Sequence, residues 1–236
     1  MKHFIFDMGG VLVKPIPHEL VKDEISYVKC DTEEMKDFFW NTFFEYEKGN
    51  LNTKEYVHKL QPYFNKNNIT PEEYEKTYYD IGKKYGGTFE NAYSELRKLK
   101  DEGYKVYLLS NLHEVSFKDF SKIFDTSVFD KLFLSYEIGM IKPDNSIYQY
   151  VINKIHDDPK EMCFFDDKLE NIESAKRNGM NAIQTTGDIL DDNIEFAKKM
   201  WWMKWSLMRM YFFDQSKLED FYSDMMICDC KCNIGI

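Results

Sequence analysis

The sequence predicts an α/β protein: a doubly wound parallel sheet with a helical segment inserted behind its first strand. Three observations carry this expectation. Five short runs are apolar without alternation and rich in β-branched and aromatic residues, as strands buried on both faces are. Helical patterns that stop at glycine separate the later runs. The span from Lys14 to Gly87 carries helix signals and no convincing strand.

The first run is HFIFD, His3–Asp7, followed by Met8, Gly9 and Gly10. The inserted span comes next. Asp31 with Glu34 reads as a capping box. Met35, Phe38, Phe39, Thr42, Phe43 and Tyr46 then share one broad face before a stop at Gly49. Thr70-Pro71-Glu72-Glu73 combines a cap residue, a proline at the first helical position and a glutamate at the third; Gly86-Gly87 ends that helix. Roughly four helices are expected here, either as a distinct cap domain or simply as a cover for the sheet. After it, FENAYSELRKLKDEG places Ala92, Leu96 and Leu99 on one helical face and stops at Gly103. The remaining strands are KVYLLSN (Lys105–Asn111), KLFLSY (Lys131–Tyr136), EMCFFDD (Glu161–Asp167) and NAIQT (Asn181–Thr185). Between the last two, NIESAKRNG is a helix that stops at Gly179. Strand and helix in alternation make a doubly wound sheet. The organisation predicted is a core of residues 1–13 and 88–199, an insertion of 14–87, and a tail of 200–236.

The chain of 236 residues fits one sizeable domain, or a core with a smaller insert. Its net charge of −10 argues against nucleic acid and anionic membrane as partners, since both need clustered Lys and Arg. Small anions stay open, because a few local donors outweigh the global field. No apolar run reaches the ~18 residues of a membrane span, and MKHFIFDMGG is not a signal peptide. The five cysteines are Cys30, Cys163, Cys228, Cys230 and Cys232, an odd count with three in the last nine residues. They form no disulfide framework, and a reducing cytoplasm is the expected compartment. The terminal trio also lacks the CxxC spacing of structural zinc sites. In MWWMKWSLMRMYFF only Lys204 and Arg209 are charged. Packing on the core or a homodimer contact through this aromatic segment ranks above a membrane surface.

Ligands of open parallel sheets bind beyond the carboxyl ends of the strands. Polar residues stand there after four of the predicted strands: Asp7, then Ser110-Asn111, then Lys142 in GMIKPD, then Asp166-Asp167. Adjacent carboxylates repel unless a cation or donors sit nearby. A hard cation such as Mg²⁺ takes oxygen ligands and substrate phosphate. One carboxylate nucleophile, one divalent cation, one lysine and two small donors can transfer a phosphoryl group. The cation and Lys142 neutralise the phosphate so that Asp7 can approach, while Ser110 and Asn111 orient its equatorial oxygens.

In this order, FDMGGVLV, LLSN, IGMIKPD and FFDDKLENIESAKRNGM resemble the haloacid dehalogenase-like hydrolases over about residues 1–190. The details look closest to the bacterial sugar-phosphate phosphatase branch that includes α-glucose-1-phosphate phosphatases. The resemblance implies a Rossmann-like core with a helical cap, here Lys14–Gly87, that closes over it and sets substrate choice. It implies Asp7 as nucleophile and metal ligand, and the backbone carbonyl of Gly9 as a further Mg²⁺ ligand. Ser110 and Lys142 would hold the phosphate. Asp167 would bind the metal directly, with Asp166 beside it, directly or through water. Asn171 falls where many relatives carry a second acid that supports the metal site. One departure matters. Most phosphatases of this family carry a second Asp two residues after the nucleophile, which protonates the leaving oxygen and then activates water. Gly9 stands there instead. Losing a general acid/base costs ~10²–10⁴ in rate, so either the reaction is slow, or a good leaving group, water or a cap residue does the job.

The expected function is therefore Mg²⁺-dependent hydrolysis of a small phosphorylated metabolite through an aspartyl-phosphate on Asp7. A catalytically weak or silent binding or regulatory protein on the same scaffold is the alternative that Gly9 and the unusual tail favour. A metal-free dehalogenase is disfavoured by the extra anions at Asp166-Asp167. His113, two residues after Asn111, reads as a surface turn histidine, and the stripe Phe38, Phe39, Phe43, Tyr46 as the insertion's own core.

Overall fold

The computed structural model describes residues 1–15, 32–64 and 68–213, with side chains to 203. Five strands form one parallel sheet in the order β3-β2-β1-β4-β5: β1 His3–Phe6, β2 Lys105–Ser110, β3 Lys131–Leu134, β4 Met162–Asp166 and β5 Asn181–Gln184. Each predicted strand is present. β1 lies in the middle, with Phe6 in register with Leu108 of β2 and Phe165 of β4. Its four residues are all buried, which is why its sequence shows no polar alternation.

The period of two still operates inside the buried strands, dividing large side chains between two faces. On one face Phe6 stacks on Phe165 at 4.9 Å between ring centroids, and Phe4 on Phe165 at 5.9 Å. On the other, Ile5, Tyr107, Leu109, Phe133 and Phe164 share a cluster with Ile147, Tyr148 and Val151. Burying each such side chain contributes about 1.5–3 kcal/mol. The strands cannot slip by one residue without exchanging these faces.

Between β1 and β2 run α1 Glu33–Glu47, α2 Thr53–Leu60, α3 Pro71–Tyr85 and α4 Ala92–Asp101. Three of these fall in the inserted span, with a 3₁₀ turn at Gln61–Tyr63. The cap of α1 is Thr32, whose Oγ1 accepts from Met35 N at 3.2 Å; Asp31 lies outside the described residues. Thr32 serves as the cap, so the helix begins one residue later than Asp31 and Glu34 suggest. α2 carries a full capping box, Asn52 with Glu55, and α3 starts as predicted on Thr70 and Pro71. The three helices bury Tyr46, Tyr56, Val57, Leu60, Phe64 and Ile69 together, with Phe38, Phe39 and Phe43 packed against them. The chain leaves the sheet at Val13 and returns at Thr88, which pair as an isolated antiparallel bridge.

The remaining helices are α5 Glu114–Ile123, α6 Ser135–Ile138, α7 Asn145–Ile155, α8 Leu169–Arg177 and α9 Leu190–Phe213. Gly103 and Gly179 follow α4 and α8 with φ of 87° each, the left-handed turn that glycine tolerates best. Met1–Asn193 forms one compact unit and Ile194 onward a second. In the second unit Phe196, Met200 and Trp202 are exposed; Cys228, Cys230 and Cys232 lie outside the described residues. Among the described residues no helix is long and apolar enough to cross a membrane.

Candidate active site

Strand order reverses around β1, so the carboxyl ends of β1, β2 and β4 meet at the edge where open parallel sheets bind their ligands. Asp7 continues β1 by one residue, its N–H bonding to Phe165 O at 2.9 Å. The apolar strand carries it to that edge and the following turn frees its side chain. Its Oδ1 accepts from Ser110 Oγ at 2.8 Å and from Met8 N at 2.7 Å, and lies 2.9 Å from Lys142 Nζ. Among the described residues no donor reaches Oδ2.

Lys142 is buried, not a solvated loop lysine. Its ammonium also donates to Asp166 Oδ2 at 2.6 Å and lies 5.3 Å from the centroid of Phe164. Asn111 fixes the loop that carries it: Asn111 Nδ2 donates to Lys142 O at 2.8 Å, and Lys142 N donates to Asn111 Oδ1 at 2.8 Å. Asp166 is fully buried. Lys168 N donates to its Oδ1 at 2.8 Å, and Asn171 Nδ2 donates to both of its oxygens at 2.9 and 3.0 Å. Asp167 differs, because its buried Oδ1 has no partner.

Ligand atoms of Asp7, Asp166 and Asp167 all lie within 4.8 Å of one another. Burial pushes the Asp7 carboxyl up to about 6, with Asp166 adding to the rise and Lys142 and the Ser110 hydroxyl opposing it. Asp167 is raised by burial and by its neighbour Asp166. For Lys142 burial works against the charge, but Asp7 and Asp166 outweigh it and hold the ammonium above its ordinary range. Three carboxylates against one ammonium leave two negative charges uncompensated. Hard oxygen donors, a divalent deficit of charge and an orphaned carboxylate oxygen on Asp167 fit Mg²⁺.

The two glycines after Met8 have different standing. Gly10 has φ of +76°, and a Cβ there would sit 2.6 Å from Asp167 Oδ2. It lets the backbone pass close to Asp167. At Gly9 a Cβ would meet nothing within 4 Å, so close packing demands glycine at position 10 and not at position 9.

His113 corrects the expectation of a surface histidine. It is buried and caps α5, its Nδ1 accepting from Ser116 N at 3.3 Å. Its ring stacks on Tyr46 at 4.4 Å and meets the edge of Tyr78 at 5.0 Å. Burial lowers the imidazole to about 3, so it is neutral at ordinary pH. Sequence reasoning missed Ser135 and Glu47. Ser135 Oγ donates to Glu47 O at 2.6 Å and accepts from Leu112 N at 2.9 Å, tying the end of α1 to the loop after β2. Glu47 stands among other acids of one helix, and no sequence signal separates it from Glu45.

A family model of the haloacid dehalogenase-like hydrolases matches residues 1–179. The chain belongs to that family. This haloacid dehalogenase-like chain is 30% identical to a D-ribitol-5-phosphate phosphatase of Bacteroides thetaiotaomicron, over 78% of its own length and 91% of the relative's. It is 29% identical to a sesquiterpene phosphatase of Aspergillus oryzae, over 80% of its length and 91% of the relative's. Among solved structures it resembles a family enzyme of Bacteroides thetaiotaomicron in a magnesium complex, at 26% identity and a TM-score of 0.68, covering 79% of this chain and 94% of that one. The same enzyme has been solved with magnesium and inorganic phosphate, and matches with a TM-score of 0.65 at 25% identity.

Proposed function

We propose that this haloacid dehalogenase-like protein is a Mg²⁺-dependent phosphatase of small phosphate monoesters, acting through an aspartyl-phosphate on Asp7. The observation that carries it is the convergence of Asp7, Ser110, Lys142, Asp166 and Asp167 at the reversal point of the sheet. Asp7, Asp167, the Gly9 carbonyl and, directly or through water, Asp166 would hold Mg²⁺, which would supply Lewis-acid neutralisation of the phosphate charge. Lys142 draws the phosphate's oxygens to the nucleophile from the other side. Ser110 turns its hydroxyl from Asp7 to an equatorial oxygen. Asp7 attacks phosphorus through Oδ2, which no donor reaches among the described residues. Asn111 joins the phosphate-binding set and keeps Lys142 in place through both backbone groups of that lysine. Asn171 orients Asp166 by donating to both its oxygens.

For the substrate we propose a sugar or polyol phosphate, the class acted on by the ribitol-phosphate relative. The span 14–87 serves as a cap domain that sets this choice. Cysteine usage fits a reducing cytoplasm, with the Cys163 thiol buried and raised by that burial. The test is an acid quench during turnover of an aryl phosphate, followed by peptide mapping. One phosphoryl group on the peptide that contains Asp7 is expected. A phosphoryl group on another residue, with turnover intact in Asp7→Asn, overturns the assignment.

A further inference from the structure

In-line attack by Asp7 sends the leaving oxygen to the far side of phosphorus, away from the carboxyl edge of the sheet. The inserted helices dock at that edge. The Glu47 carbonyl accepts from Ser135 Oγ at 2.6 Å, and Ser135 Oγ accepts from Leu112 N, which follows Asn111. Two residues on, Gly49 lies so close to the Tyr136 carbonyl that a Cβ would sit 2.0 Å from that oxygen. Thr53 at the start of α2 hydrogen-bonds Glu114 at the start of α5 through its hydroxyl. The end of α1 is therefore fixed to the core by its backbone, and the side chain of Glu47 is not used in the docking.

That side chain is half-buried, and its carboxyl makes no hydrogen bond or ion pair among the described residues. The charged and titratable groups that act on it, or on which it acts, are Lys168, Lys142 and Asp7 of the core and Tyr56 and Tyr78 of the insertion. The backbone contact of Glu47 with Ser135, and through it with Leu112 beside Asn111, sets this end of α1 at the edge where the site residues converge. We propose that Glu47 is a catalytic residue, the proton donor to the leaving oxygen and then the base for water, in the role for which Gly9 has no side chain. This rests on the phosphatase reading above. Burial pushes the Glu47 carboxyl up to about 7 against the pull of Lys168 and Lys142, near the value at which a group can both give and take a proton in neutral solution. The other candidates at this edge are unsuited. His113 is neutral and caps a helix, and Asp166 is saturated with donors.

The steps balance. Asp7 Oδ2 forms a bond to phosphorus, the ester P–O bond breaks, and its electron pair takes the proton of Glu47, releasing a neutral alcohol. Glu47, now a carboxylate, removes a proton from water as that water attacks phosphorus. The acyl P–O bond breaks, Asp7 regains its charge, phosphate leaves, and Glu47 is again protonated.

The experiment compares wild type, Glu47→Gln and Asp7→Asn on p-nitrophenyl phosphate and on an alkyl phosphate, with Mg²⁺, across pH. Glu47→Gln should lose about 10²–10³ in kcat on the alkyl ester with little change in KM. On p-nitrophenyl phosphate, whose leaving group departs without a proton, it should give a burst of one nitrophenolate per folded enzyme and then slow turnover. The pH dependence of kcat near neutrality should vanish. The burst counts active sites, so it decides the question even if the variant melts at a lower temperature. Wild-type leaving-group dependence and pH profile in Glu47→Gln, with turnover still requiring Asp7, overturns the role of Glu47 and leaves the phosphatase standing. Turnover that survives in Asp7→Asn, or none in wild type on either ester, overturns both.

Discussion

Asp7, Asp166 and Asp167 lie together but in different surroundings. Asp166 has its hydrogen-bonding capacity filled by Lys142, Lys168 and Asn171, whereas Asp167 keeps an oxygen with no partner. Burial first, and the charge of Asp166 second, hold the Asp167 carboxyl above its ordinary range. The sign of the linkage follows. A carboxyl with a raised folded-state pKa costs stability when ionised; the cost is present above that pKa and is relieved as pH falls through it. Asp167→Asn should therefore raise the melting temperature in EDTA at neutral pH and abolish the rise that Mg²⁺ produces in the wild type. Calorimetric scans with and without Mg²⁺ check this; a lower melting temperature with an intact Mg²⁺ response contradicts it. These acids were legible in the sequence because each stands at the end of a buried strand, and strand ends are a local feature. Glu47 was not legible, because its place depends on a contact between Ser135 and a helix end 88 positions earlier in the chain. His113 was misjudged for a similar reason. Its burial comes from Tyr46 and Tyr78 on inserted helices, which no window around residue 113 contains.

At the scale of elements, the five strands and the stops at Gly103 and Gly179 follow directly from apolar runs and glycine positions. Helix caps are less exact, as the shift to Thr32 shows, since neighbouring polar residues can each serve as the cap. How the insertion meets the sheet is invisible to periodicity, because its fastening is a matter of backbone approach. Gly49 is the test of that fastening. Its φ is +73°, and a methyl group there would collide with the Tyr136 carbonyl. Gly49→Ala should cost about 1–3 kcal/mol of stability, measured by denaturant titration, while leaving Asp7, Lys142 and Asp167 chemically intact. An unchanged midpoint would mean that the end of α1 is not held against the turn after β3.

For the whole molecule, the inserted helices and the sheet have separate hydrophobic clusters joined at the edge where the acids converge. A parallel sheet gathers distant chain segments at its carboxyl edge, which is why four short motifs spread from Asp7 to Asp167 form one site. The measurement that tests the central claim most directly is phosphate release from a panel of sugar and polyol phosphates. It is made with Mg²⁺, with EDTA, and with Asp7→Asn. Release that requires both Mg²⁺ and Asp7 is the predicted result. Release undiminished in Asp7→Asn, or none from any ester by the folded, Mg²⁺-bound protein, would contradict it.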